Sequence, residues 1–142
     1  MSSPAPDPAI HVTRVAERTF RCASRNHSIL TDRPAEEGGT DKGPTSGELL
    51  MMAIGSCAAG SLRRHLAERA GGMDFSVAVT LLGGAPDRPR PIRIALTLPA
   101  GLAPRDIEAA RAAALTGGVV SRIALGSKIE VVVAPRDARE EA

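Results

Sequence analysis

Seven small residues in succession, Gly55-Ser56-Cys57-Ala58-Ala59-Gly60-Ser61, lie in the middle of the strongest helical signal in the chain. Around and through them Leu50, Ile54, Ala58, Leu62 and Leu66 recur every four residues, an apolar stripe along one helix face. Thr45-Ser46-Gly47-Glu48 fits a capping box, with a hydroxyl at the helix start and a carboxylate three residues on reaching back. Arg64 and Glu68 are spaced to pair on the exposed face, and Gly71-Gly72 supplies a stop. Glycine inside a helix costs about 1 kcal/mol relative to alanine. Small residues also let another backbone approach closely, so this stretch is expected to be a buried, tightly packed helix centre.

The flanking segments read as strands and a second helix. Ile10 and Val12, then Phe20 and Cys22, alternate with polar residues about a turn at Ala16-Glu17-Arg18, and Asn26-His27 precedes the apolar pair Ile29-Leu30. Residues 32–44 are rich in Gly, Pro, Asp and Glu and read as loop. Phe75 to Leu81 and Ile92 to Leu98 alternate cleanly and form a hairpin through Gly83-Gly84-Ala85-Pro86-Asp87. Pro104 opens a second helix that stops at Gly117-Gly118. Val119, Val120, Ile123 and Leu125 fall in a short turn before a last strand, Ile129 to Val133. The order predicts one α+β domain over residues 10–134, after a proline-rich leader (1–9) and before a charged tail (135–142).

Composition narrows the function classes. Among 142 residues there are two Phe, no Tyr and no Trp, which leaves no aromatic platform for single-stranded nucleic acid. The formal net charge is +2, with arginines scattered among acids, so no nucleic-acid partner is expected. No apolar run reaches the roughly 18 residues of a membrane span, and the N-terminus lacks a secretion-signal pattern. Two cysteines, Cys22 and Cys57, make no disulfide framework of the secreted kind, so the expected setting is the reducing cytoplasm with free thiols.

Among chemistry-bearing residues, His11, His27 and His65 are dispersed and form no metal-ligand spacing, and no cofactor motif occurs. Residues 38–45 approach a phosphate loop, but Pro44 stands where its lysine belongs. Cys57 is left with two readings. A free cysteine is often a small buried hydrophobe; a reactive one needs an electropositive, partly exposed setting.

Gly43-Pro44-Thr45-Ser46-Gly47-Glu48-Leu49-Leu50-Met51-Met52-Ala53-Ile54-Gly55-Ser56-Cys57 resembles the signature of the osmotically inducible protein C (OsmC) and organic hydroperoxide resistance family. His27 to Asp32 and Gly38-Gly39 are similar to the family's approach to that helix, and the resemblance spans about Val12 to Val133. It implies an intertwined homodimer with the long helices at its centre. It also implies reduction of organic hydroperoxides by a cysteine pair, with a nearby arginine and glutamate and a lipoyl-type dithiol as external reductant.

Carried over by position, Cys57 takes the place of the attacking cysteine and Glu48 lies at or beside the acidic one, where it serves equally well as a helix cap. The resemblance draws the arginine from the first strands: Arg18 and Arg14 are the best-placed candidates, with Arg21 and Arg25 as further ones. The second family cysteine is missing, and Gly118 stands in its place. The expected function is therefore thiol-dependent peroxide reduction as a one-cysteine variant, with Cys22 a possible substitute resolving thiol. Leu50, Met51 and Ile54, with partner residues, would line an apolar pocket, though each is equally explained as core. The competing reading is a non-catalytic dimer that binds a small molecule or senses redox state.

Overall fold

The computed structural model describes residues 8–67 and 74–126. Three short strands, β1 (His11–Arg14), β2 (Phe20–Ser24) and β3 (His27–Thr31), form an antiparallel sheet in chain order, with Val12 opposite Cys22 and Cys22 opposite Ile29. The β1–β2 turn falls where expected, closed by Val15 N–H donating to the Thr19 carbonyl at 3.0 Å. Arg25, in the two-residue β2–β3 turn, has a left-handed φ of 54°.

A 3-10 turn at Ala35–Glu37 follows, then the long helix α1 (Ser46–Leu66). The hairpin of β4 (Ser76–Leu81) and β5 (Ile92–Thr97) pairs in the register Val77–Leu96 and Val79–Ile94. Two helices complete the described chain, α2 (Pro104–Ala114) and α3 (Gly118–Leu125).

The third helix corrects the sequence expectation of a turn over 119–125. Gly and β-branched Val are weak helix formers, which is why the segment reads as a turn. Packing decides otherwise: Val120 is buried, and α3 lies against α1. Gly117 and Gly118 therefore open a helix, while α2 already ends at Ala114. The expected last strand at Ile129–Val133, the Gly71-Gly72 stop and the charged tail lie outside the described residues.

The capping box is present as read. Glu48 N–H donates to Thr45 Oγ1 at 3.2 Å, and Thr45 N–H donates to Glu48 Oε2 at 2.7 Å. From that start α1 buries Ile54, Ala58, Ser61, Leu62 and Leu66. Leu62, Leu66 and Ala110 form the core cluster, with Phe75, Val77, Leu96, Leu98 and Leu102 around it. Among the described residues α1 thus packs on α2, α3 and β4, whereas β1, β2 and β3 pack densely only on one another.

The small-residue run is close-packed on one side only. A Cβ at Gly55 would lie 3.1 Å from Val79 Cγ2, so helix and strand approach as closely as glycine allows. Ala58 and Ser61 are buried, but Ser56 is exposed, and among the described residues nothing lies within 4 Å of a Cβ at Gly60. Within one chain, then, the expectation of a buried helix centre holds for half its circumference. α2, α3 and β4 cover that half.

The loop leading into α1 is organised by one buried carboxylate. Asp32 Oδ2 accepts from the Thr40 hydroxyl (2.6 Å), the Thr19 hydroxyl (3.2 Å), Lys42 N–H (3.2 Å) and Thr40 N–H (3.3 Å), while Oδ1 accepts from Arg33 N–H (2.7 Å). Together these hold Asp32 far below the usual carboxylate range: the Thr40 hydroxyl dominates, burial opposes, and the remaining donors add to the lowering. The hub ties the start of β2 to residues 33–42, and Asp32 N–H donates to the Pro44 carbonyl beside the α1 cap.

Candidate active site

Cys57 sits mid-helix on α1, half-buried and free. Its nearest described cover comes from the residue before α3. A Cβ added at Gly117 would collide with Cys57 Sγ and lie 3.1 Å from Ser61 Oγ. Gly117 has φ −63° and ψ 148°, a conformation open to any residue, so close approach to the sulfur is what requires glycine there. Gly118, the position matched to the missing second cysteine, points elsewhere: a Cβ there meets nothing within 4 Å among the described residues. One turn beyond Cys57, the buried Ser61 hydroxyl accepts from Arg64 Nη2 at 3.2 Å.

Glu48 is on the other side of the same helix. It lies nine residues before Cys57, and at ~100° per residue that is about two and a half turns and ~13 Å along the axis. Its carboxylate is occupied by the cap, accepting from both the Thr45 N–H and the Thr45 hydroxyl (3.1 Å).

Glu48 also borders an open groove of about 760 Å³ between α1 and the β4–β5 hairpin. Met51, Met52, Val77, Val79 and Leu81 give it an apolar floor, and Arg90 stands at its rim. The Arg90 guanidinium is fixed by donating from Nε to the Leu82 carbonyl (2.8 Å) and from Nη2 to the Leu81 carbonyl (3.3 Å). Gly55 and Ser56 bring this groove to within one residue of Cys57 along the helix.

Of the three expected pocket residues, only Met51 lines the groove. Ile54 is 2% exposed and belongs to the core, and Leu50 is 47% exposed outside the groove. Arg18 lies on the β1–β2 turn, where Nη1 donates to the Glu37 carbonyl at 3.0 Å and the guanidinium covers Gly38. Arg14 is exposed on the edge strand β1, opposite Phe20. Cys22 lines a separate apolar cleft with Leu49, Ile10 and Ile29. Leu49 is eight residues before Cys57, ~12 Å along α1. Among the described residues, then, Arg18 is held by Glu37 and Gly38, Cys22 borders Leu49 and Ile29, and Cys57 faces Gly117. Arg90, Ser61, Arg64 and Gly117 carry no sequence motif; long-range packing brings the first and last of them to their places.

Among the described residues no group of His, Cys, Asp and Glu forms a metal-binding cluster, and no helix is long and apolar enough to cross a membrane.

A three-stranded sheet, a long cysteine-bearing helix, a second hairpin and two shorter helices define the α+β architecture of the OsmC fold. Solved structures share it. An osmotic stress induced and detoxification response protein from Psychrobacter arcticus 273-4 superposes with a TM-score of 0.65 at 20% identity, over 85% of this chain and 90% of that one. An organic hydroperoxide resistance protein OsmC from Legionella pneumophila gives 0.59 at 14% identity, over 85% and 91%. Comparison with curated proteins finds no match. Residues 39–133 match the family described as OsmC-like protein, and the chain belongs to that family.

Proposed function

We propose that this chain is a thiol-dependent reductant of organic hydroperoxides that works through a single peroxidatic cysteine, Cys57. The observation that carries the reading is the place of that thiol: half-buried at the middle of the long helix of an OsmC-family chain. The Legionella relative of the same fold is named for organic hydroperoxide resistance, which supports the reading.

The chemistry needs one sulfur. The Cys57 sulfur attacks the distal peroxide oxygen; the S–O bond forms as the O–O bond breaks, and the alkoxide leaves and takes up a proton as alcohol. Cys57–SH and ROOH thus give Cys57–SOH and ROH. An external dithiol of lipoyl type then displaces water from the sulfenic acid to form a mixed disulfide, and its second thiol releases Cys57 as the dithiol closes to its own disulfide. With Gly118 where a second cysteine would stand, nothing on α3 competes for that step.

The working unit in this reading is a homodimer. β1–β3 pack densely only on one another and expose Val12 (58%), Phe20 (38%) and Ile29 (39%), an apolar surface that a second copy would cover. Arg18 is held by Glu37 and Gly38 while Cys57 faces Gly117, so in this arrangement the arginine that serves the thiolate comes from the partner subunit. The 760 Å³ groove, with its apolar floor, suits an alkyl or lipid chain.

A second reading has its own observation. The Gly117 backbone lies so close to Sγ that Cys57 also fits a packed or redox-sensing thiol on a binding scaffold. Intact-mass analysis after brief exposure to cumene hydroperoxide decides between them, run beside Cys57→Ser and Cys22→Ser. Oxidation that vanishes in Cys57→Ser and is reversed catalytically by a dithiol establishes the peroxidase. Reversal in which Cys22→Ser blocks disulfide formation makes Cys22 the resolver. A Cys57 left unmodified at concentrations that oxidise ordinary thiols removes the enzyme reading.

A further inference from the structure

Arg90 is a fixed cation at the edge of an apolar groove. Its Nε donates to the Leu82 carbonyl (2.8 Å) and its Nη2 to the Leu81 carbonyl (3.3 Å), and a Cβ at Gly84 would lie 3.3 Å from its Cγ. Head and stem are thus both held against the β4–β5 loop. Those bonds occupy one side of the guanidinium and leave Nη1 and the second Nη2 hydrogen uncommitted among the described residues. No described carboxylate pairs with Arg90, whereas Arg33 pairs with Glu37 and Arg111 with Glu108. Glu48 borders the same groove, and its carboxylate is taken up at the α1 cap by the Thr45 N–H and hydroxyl. Met52 is 55% exposed and Leu81 37% on a floor completed by Met51, Val77 and Val79. An immobilised, unpaired cation beside an exposed apolar trough is complementary to an amphiphile with an anionic head.

The groove also has a direction. Leu62 and Leu66 pack with Phe75 and Val77, while Gly55 meets Val79, so β4 runs back along α1 toward its N-terminal end. Leu81, whose carbonyl holds Arg90, is two strand residues past Val79, ~7 Å. Cys57 is two helix residues past Gly55 in the opposite direction, ~3 Å. Arg90 and the level of Cys57 are therefore ~10 Å apart along the groove.

We propose that this groove binds a long acyl chain bearing a free carboxylate: the open end of the Arg90 guanidinium receives the carboxylate in a two-bonded pair, and the chain lies over Met51, Met52 and Val79 toward Cys57. Two parallel charge-assisted hydrogen bonds are the strong, directional form of this contact, and a neutral chain of equal length gains only the apolar floor. As a binding site the groove stands alone; that the acid, carried as its hydroperoxide, is the preferred substrate rests on the peroxidase reading.

Binding is measured with cis-parinaric acid, a fluorescent long-chain carboxylate, beside its methyl ester; the chain has no Trp or Tyr to contribute background. The unaltered protein is expected to bind the acid about tenfold or more tightly than the ester, the scale of hydrogen bonds to a charged group. Arg90→Met removes that preference and leaves ester binding in place, Met52→Gln weakens acid and ester alike, and Arg88→Met, outside the groove, changes neither. Acid and ester bound equally, neither bound, or an Arg90→Met variant that keeps the preference overturns the proposal. Failure of both probes with a shift to monomer in Met52→Asp would give the groove to a second copy of the chain instead. The acid–ester comparison uses the unaltered chain, so it holds even if Arg90→Met does not fold. With a hydroperoxy fatty acid and its methyl ester, intact mass in Cys22→Ser reads the consequence for Cys57. Acid binding in a protein whose Cys57 neither peroxide oxidises would sink the peroxidase reading and leave the binding site standing, and oxidation of Cys57 without preference for the acid would do the reverse.

Discussion

The backbone of Gly117 lies directly against the sulfur of Cys57, and any side chain at that position would collide with it. The contact joins the N-cap of α3 to the centre of α1, so it controls both how α3 seats and how a molecule reaches the thiol from that side. Gly117→Ala is expected to destabilise the fold by about 1–3 kcal/mol, the usual scale of overpacking. Gly118→Ala should be neutral or stabilising by up to about 1 kcal/mol, since the position is open and exposed and alanine restricts the unfolded chain. Urea unfolding of the two variants checks the contrast, and equal stability would show that α3 does not seat as described.

The cap at the start of α1 gives a prediction that separates structure from chemistry at Glu48. Thr45→Ala is expected to lower stability by about 1 kcal/mol, as for other lost N-caps. Glu48→Gln keeps a side chain able to accept from the Thr45 N–H and should cost less. Because Glu48 and Cys57 face opposite sides of one helix, the rate at which a single chain's Cys57 is alkylated by iodoacetamide should not change in Glu48→Gln. A slowed alkylation would mean that Glu48 reaches the thiol across a subunit boundary.

That opposition was available from the spacing alone, since nine residues of helix always carry a half-turn offset. Much of the rest was legible for the same kind of reason. The four-residue recurrence from Leu50 to Leu66, the Thr45/Glu48 box and the strand alternation at Phe75–Leu98 are local patterns, and α1, β4 and β5 form where they place them. The helix at 118–125 was not legible, because its Gly and Val content argues for a turn and only burial of Val120 against α1 outweighs that. At the site, the signature around Cys57 marked the thiol. Its surroundings remained hidden: Gly117 is sixty residues away in sequence, and Arg90 sits in a proline-rich loop that carries no periodic signal. Of the two readings left open for Ile54, pocket or core, its 2% exposure fits the core one, since a stripe residue that faces the hairpin and α3 is covered by them.

Acid should act on the loop before α1. Asp32 titrates far below its ordinary value in the folded protein, so its contribution to stability is complete above the ordinary carboxylate range. It is lost progressively as pH falls through that range toward the folded-state value. Thermal unfolding measured from neutral pH down to roughly pH 3 should show a declining melting temperature, with the fall beginning near pH 5. Asp32→Asn should melt lower at neutral pH, because the amide presents an NH₂ to a site made of donors. It should also show a shallower acid limb. An acid limb as steep in Asp32→Asn as in the unaltered chain would assign the pH dependence to other carboxylates.

The surface left on β1–β3 sets the last expectation. Among the described residues β1–β3 pack densely only on one another and leave Val12, Phe20 and Ile29 exposed, short of the cover that makes a three-stranded sheet stable in water. In the proposed dimer a second copy would supply that cover, and light scattering should then give a mass of twice 14.7 kDa. Val12→Asp places a charge on the exposed face of the edge strand and should shift the population toward monomer. If Arg18 serves the thiol of the partner subunit, the same variant should slow Cys57 oxidation by peroxide in step with dissociation. Adding protein should restore the rate, because association follows mass action. A monomer that oxidises Cys57 at the full rate would place every group the thiol needs within one chain.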